Sequence, residues 1–367
     1  KSRFGGKWDF QTYSSSVDDN GIYNLIESDN LQPDKDIVIA LIGDWGSGTK
    51  DAYEIADQVS QDHPYFTIHL GDIYYVGSKK EVQENMLGKR VKWPEGEMGS
   101  FALNANHEMY ARGKAYFKYF LPTLGIRDPK TGNLKGQKAS YFCLKNEYWL
   151  IIGLDTGYYS IGCPIIEMIF KPNARLHNKQ LDWLRNDLRL QEDNQRGIII
   201  LSHHQYYSEF ERAYSVPANQ LSQFIKRPVI WFWGHEHRFA LYSKHATEKG
   251  KLSAYGRCIG HGGLPIEDIS DKPESSDKYN VGLVLYDKRE KEKIGESNIP
   301  VGYNGYANLI FRGRNLKVEY KDIKQCIVRE EWEVQEGGII KGISIEKLIE
   351  DPQLVLHKNA RLSNAIN

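Results

Sequence analysis

Six times in this 367-residue chain a short apolar run stops at a carboxylate, an amide or an imidazole. Residues 37–42 precede Asp44, 67–70 precede Asp72, 100–103 precede Asn106, 148–154 precede Asp155, 198–201 precede His203 and 228–233 precede His235. Runs that are apolar at successive rather than alternate positions are strands covered on both faces. Helical periods lie between them. Ala52, Ile55, Ala56 and Val59 recur at i, i+3, i+4 and i+7 behind a capping Thr49, and Leu181, Leu184 and Leu188 form one stripe within 178–190. Sheets built from such units bind ligands outside the carboxyl ends of their strands, where this chain keeps its polar residues.

The longest apolar runs fall far short of the ~20 residues that cross a bilayer, so no membrane span is expected. A hydrophobic fraction of 40% suits a globular core. Basic and acidic residues balance at 48 each, which argues against a protein that tracks nucleic acid. Four cysteines, at 143, 163, 258 and 326, match neither a metal knuckle nor a disulfide framework and read as buried thiols. The chain opens on Lys1 with neither a leader nor an initiator Met, so a removed segment stays open; a cytoplasmic location is the expectation.

Residues 1–35 are polar and turn-rich and read as an N-terminal arm, 36–320 as the main domain, and 321–367 as a C-terminal extension of unknown role with a helix expected over 344–350. The β-rich stretches after His237 (239–242, 283–286, 307–311 and 316–320) are expected to form a second sheet, and the charge runs 267–278 and 287–293 to be solvated loops.

Five segments carry the chemistry: Asp44-Trp-Gly46, Gly71-Asp-Ile-Tyr-Tyr75, Asn106-His-Glu108, Ser202-His-His204 and Gly234-His-Glu-His237. Two carboxylates, an amide oxygen, a phenol and several imidazoles suffice to hold two metal ions with positions left for water and a phosphate ester. Over about residues 37 to 265, in order, these segments resemble the calcineurin-like metallophosphoesterases, and among them the purple acid phosphatase pattern Asp-x-Gly, Gly-Asp-x-x-Tyr, Asn-His-(Asp/Glu), Val-x-x-His and Gly-His-x-His.

The resemblance implies a four-layer α-β-β-α sandwich with two mixed sheets. It implies that Asp44, Asp72, Tyr75 and His237 hold a first metal and that Asp72, Asn106, His203 and His235 hold a second, with Asp72 the bridge. His107 would stand beside the phosphate, binding a phosphoryl oxygen or protonating the leaving group. The implied cofactors are Fe, Zn or Mn, with Fe(III) at the first site if Tyr75 ligates as a phenolate; otherwise Tyr75 packs beside the cluster and Mn or Zn fills both sites.

Three positions depart from the pattern. Ala105 stands where the family has Gly, which would strain a turn needing positive φ; Ile200 replaces Val; and Gly46 replaces the His of the commoner branch. Around the ligands, His204 is expected behind the metals, His261 in a Gly-rich loop is a candidate phosphate contact, and Arg112 and Arg238 are candidate clamps. His69 reads as a core histidine.

The expected function is hydrolysis of a phosphomonoester by a metal-bridging hydroxide. The alternatives are a phosphodiesterase on a small or nucleotide-like substrate, separated by parallel assays on aryl mono- and diesters, and a metal-bearing fold that mainly binds a protein partner, which would be inert on both.

Overall fold

The computed structural model of the protein describes residues 6–16, 19–25, 36–128, 130–160, 174–193, 195–246, 252–266, 281–358 and 360–367. Two nine-stranded mixed sheets face each other. One runs, in spatial order, Ile22–Asn24, Phe142–Lys145, Trp149–Gly153, Gly197–Ser202, Val229–Trp233, Ala254–Ile259, Phe239–His245, Leu283–Asp287 and Leu354–Leu356. The other runs Ile340–Lys347, Cys326–Val334, Asn315–Asp322, Gly305–Arg312, Ile37–Ile42, Phe66–His69, Gly99–Ala102, Gly125–Arg127 and Leu134–Gly136.

The continuous apolar runs follow from this layering. Ile37, Ile39 and Leu41 turn inward against Ile199, Leu201, Ile230 and Phe232 of the opposite sheet. Ala40 and Ile42, alternating with them in sequence, turn outward onto Ala52, Ile55, Ala56 and Val59 of the helix Lys50–Gln61. Thr49 caps that helix, its Oγ1 accepting from the Ala52 amide at 3.2 Å. On the far side, Ile198, Ile200 and Trp231 pack on Trp183 and Leu184 of Asn178–Asn186 and on Ala218 and Leu221 of Val216–Leu221. The four layers are therefore helix, sheet, sheet, helix. No helix among the described residues is long and apolar enough to cross a membrane.

Several local expectations are corrected. Phe239–His245 and Leu283–Asp287 extend the sheet that holds Gly197–Ser202, and Gly305–Arg312 pairs with Ile37–Ile42, so the later strands divide between the two sheets rather than forming one of their own. The segment expected as a helix over 344–350 is mostly the edge strand Ile340–Lys347, because pairing with Cys326–Val334 overrides local propensity. The charge run at 287–293 belongs to a hairpin, Glu290–Ile294 against Ile299–Gly302, whose Lys291 pairs with Asp51 and Glu54 of the first helix. Its acidic partners are distant in sequence, which is why the run read as solvated. The 267–278 run and Cys163 lie outside the described residues, while Cys143 and Cys258 are buried free thiols.

Residues 321–367 supply Cys326–Val334 and Ile340–Lys347 to one sheet and Leu354–Leu356 to the other. From the first of these strands Glu330 reaches across the core to Arg257 of Ala254–Ile259. Both side chains are fully buried, with Nε to Oε1 at 3.0 Å and Nη2 to Oε2 at 2.8 Å. The remaining guanidinium protons go to the carbonyls of Tyr242, Gly256 and Ala365, and the Tyr320 hydroxyl donates to Glu330. Removing one partner of such a pair strands the other charge in the core. Glu330→Ala is expected to cost about 3–5 kcal/mol in urea unfolding, and replacing both partners with apolar residues of similar volume is expected to cost less than that single change.

Candidate metal centre

Parallel pairing sets three strand ends side by side in each sheet. Ile37–Ile42, Phe66–His69 and Gly99–Ala102 pair with Ile68 opposite both Leu41 and Phe101. Trp149–Gly153, Gly197–Ser202 and Val229–Trp233 pair with Ile200 opposite both Ile152 and Trp231. The first trio delivers Asp44, Asp72 and Asn106; the second delivers Asp155, His203 and His235, with His237 on the following turn.

The chain must bend sharply to do this. Asp44, Asp72 and His235 hold φ of 57°, 75° and 64°, a left-handed conformation that side chains disfavour and that gathers at functional sites. Gly234 admits the Asp44 carboxylate, since a Cβ there would lie 2.4 Å from Oδ2. Ala105, where the pattern has Gly, sits at φ −134°, an extended conformation open to any residue, so the expected strain is absent.

Asp44 and Asp72 are buried, and Tyr74 lies between them. Its hydroxyl is 2.8 Å from Asp44 Oδ1, 3.2 Å from Asp72 Oδ2 and 3.0 Å from His237 Nε2. His237 Nε2 is itself 3.5 Å from Asp44 Oδ1, and the His235 amide donates to Asp44 Oδ2 at 2.8 Å. His203 Nε2 approaches the same Asp72 oxygen as Tyr74, standing 3.4 Å from Asp72 Oδ2, 3.0 Å from Asn106 Oδ1 and 3.1 Å from His235 Nδ1.

Proton accounting shows what this cluster lacks. His203 Nδ1 faces the Leu70 carbonyl at 3.1 Å, which can only accept, so Nδ1 carries the hydrogen. Burial, reinforced by His204 and His235, holds His203 well below its ordinary pKa and keeps it neutral, leaving Nε2 a bare lone pair. Asn106 donates its amide hydrogen to the Tyr110 hydroxyl at 2.9 Å and so turns Oδ1 inward. His203 Nε2, Asn106 Oδ1 and Asp72 Oδ2 thus converge as three acceptors, with the Tyr74 hydroxyl beside Asp72 Oδ2 and His235 Nδ1 beside His203 Nε2. A cation satisfies that arrangement.

The electrostatics agree. Burial pushes Asp72 above the usual carboxylate range, with Asp44 adding to the rise and His107 opposing it. Burial also raises Tyr74 well above 10, and the charges of Asp44 and Asp72 raise it further. His237 is raised: burial opposes its charge, but the hydrogen bond and charge of Asp44 prevail. Ligand atoms of Asp44, Asp72 and His203 all lie within 4.8 Å of one another, as do those of His203, His204 and His235.

The structure brings six of the seven expected ligands together and places the seventh elsewhere. Tyr75 is 68% exposed, while Tyr74 beside it is buried in the cluster. The two tyrosines lie in a turn, whose path brings only the first of them into the cluster. What Tyr75 contributes is its backbone: its amide donates to Glu81 and its carbonyl faces His107 Nδ1 at 2.7 Å.

That contact, with the His107 amide donating to Asp72 Oδ1 at 3.2 Å, sets the His107 ring at the rim, with Nε2 3.7 Å from Asp72 Oδ2. Glu108 is fully buried and accepts from the Ala105 amide at 3.1 Å, fixing the turn that presents Asn106. Tyr110 is not among the residues expected at the site, although its place four residues after Asn106 on a helix puts it within reach.

The residues expected around the ligands sit as follows. His204 is buried, bonded to Thr156 at 3.0 Å with its ring 4.8 Å from that of His235, behind the ligands. His261 is buried beside Phe239, and burial pushes it down to about 3, so it offers no charge to a phosphate. Arg238 stacks on the Phe210 ring at 4.0 Å, near Glu236. Arg112 is exposed, and its carbonyl accepts from the Trp8 amide. His69 is a core histidine packed on Trp93 and Phe120.

If Tyr74 is the phenol of the first site, Tyr74→Phe abolishes any tyrosinate-to-iron band of the iron-loaded protein and weakens metal uptake at that site. Tyr75→Phe is expected to leave both unchanged, as read by visible spectroscopy and metal titration.

Comparison with known proteins agrees with this architecture. A structure of PhoD superposes with a TM-score of 0.50 at 11% identity, covering 84% of this chain and 72% of that one. A structure of GAP50, the anchor in the inner membrane complex of Plasmodium, superposes with a TM-score of 0.52 at 14% identity, covering 90% of this chain and 92% of that one. At such identities the likeness speaks for the fold alone. A search of curated protein sequences finds no match. The calcineurin-like phosphoesterase family matches residues 37–239, more than half of the chain, and the chain belongs to that family.

Proposed function

We propose that this protein is a binuclear metal-dependent hydrolase of phosphate monoesters. The observation that carries the reading is the convergence of two groups of donors on Asp72 Oδ2. Tyr74 brings Asp44 and His237, and His203 brings Asn106 and His235. A pair of bound ions would activate water and neutralise charge on the phosphoryl group. The carboxylates and the bare nitrogen of His203 would hold those ions, with Tyr110 aiming the Asn106 oxygen.

His107 is the side chain placed for proton transfer. Its Nδ1 is turned to the Tyr75 carbonyl, and its Nε2 stands at the rim near Asp72, partly exposed. A proton on Nε2 is in position to go to a leaving alkoxide, while the Tyr75 carbonyl keeps the ring from rotating.

Purified protein loaded with Mn, Zn or Fe is expected to turn over an aryl phosphate monoester faster than the corresponding diester. His107→Ala should lower kcat by about 10²–10⁴, the usual contribution of a positioned acid, and Asp72→Ala should abolish turnover and two-ion uptake together. Turnover that survives Asp72→Ala would sink the proposal, and a faster diester would move the substrate class. The loaded protein should also melt higher than the chelator-treated protein, because an ion that binds only the folded state stabilises it.

A further inference from the structure

Asp155 ends the strand-like run 148–154 as the proposed ligands end theirs, yet it belongs to neither donor group. It is nearly fully buried and heavily bonded. Its carboxylate accepts from Ser140 Oγ at 2.5 Å, from the Gly157 and Tyr158 amides at 2.9 and 2.8 Å, and from Asn104 Nδ2, which is 3.2 Å from each oxygen. Its own amide donates to Gln180.

These contacts join the two halves of the centre. Asn104 belongs to the loop from the sheet that delivers Asn106, and Asp155 to the loop from the sheet that delivers His203 and His235. The turn that Asp155 closes sets Gly157 directly on the Ala105 backbone, where a Cβ would lie 2.5–2.7 Å from its atoms. Thr156, between them, bonds His204, whose ring lies 5.0 Å from His203 and 4.8 Å from His235. One three-residue turn therefore abuts the Asn106 loop on one side and the imidazoles on the other.

We propose that Asp155 is a positioning residue that fixes the spacing between Asn106 and the His203 and His235 pair, and thereby the affinity of the second metal position. The proposal rests on the two-ion reading of the centre. Asp155→Asn weakens the link selectively. The remaining carbonyl oxygen still accepts from the two turn amides and from Asn104, and Ser140 can reverse its hydroxyl, but the new amide nitrogen replaces the second acceptor of Asn104 and meets its amide donor against donor.

The test is calorimetric titration of Mn(II) or Zn(II) into the full chain, with thermal unfolding followed in parallel. The wild-type chain should take up two ions. In Asp155→Asn one of the two ions should lose at least about tenfold in affinity, the usual cost of disturbing a group that orients a ligand, while the other stays near wild type. The double variant Asn104→Asp/Asp155→Asn restores a donor–acceptor pair and should recover the second ion, whereas Asn104→Asp alone should not, since it sets two carboxylates together. Should Asp155→Asn fail to fold, Asn104→Ala cuts the same contact from the other side and should show the same selective loss.

Unchanged uptake of both ions, equal weakening of both, or a double variant that recovers nothing would each overturn the proposal. A wild-type chain that takes up fewer than two ions would overturn the two-ion reading itself and this proposal with it.

Discussion

A carboxylate buried where two sheets meet has to be compensated, and much of the structure around Asp72 can be understood from that requirement. The Tyr74 hydroxyl is shared between two carboxylates, the His107 amide bonds only the other oxygen of Asp72, and the imidazole of His203 turns its lone pair toward Asp72 rather than its hydrogen. A neutral core would not tolerate such an excess of acceptors, because each unpaired buried polar atom costs about 1–3 kcal/mol. The arrangement is consistent with a fold that is completed by cations.

Holding those acceptors together is costly before any ion arrives. Asp44, Asp72 and His235 each occupy a left-handed conformation worth about 1–3 kcal/mol of strain. The hydrogen bonds from the His235 and His107 amides to the two carboxylates help to fix these bends. The strand ends on either side must be rigid, and the mixed sheets with their Arg257 and Glu330 cross-link supply that rigidity from the far side of the core.

Residues 321–367 are integral to this frame. Their strands extend both sheets, and Glu330 within them neutralises an arginine on a strand neighbouring Val229–Trp233, whose end carries His235. Removing them would strip Trp332, Val334 and Ile340 from the core, uncover Tyr255, whose ring lies 4.8 Å from that of Trp332, and leave Arg257 without its carboxylate partner. The segment that looked like an extension thus bears on the geometry of the centre through packing.

The sequence by itself determined the strands, because two-sided burial demands continuous apolar runs, and it determined which residues end them. The helix Lys50–Gln61, its Thr49 cap and its four inward residues were legible for the same reason: amphipathic period and capping are local. The inward tyrosine, the burial of His261, the destination of the C-terminal strands and the bonding of Asp155 were decided only in three dimensions. Each depends on a partner many residues away, and local pattern carries no information about which distant group will come to lie opposite. Tyr74 and Tyr75 are the clearest case, since composition and spacing treat the two phenols alike and only the path of the backbone turns one of them toward Asp44 and Asp72.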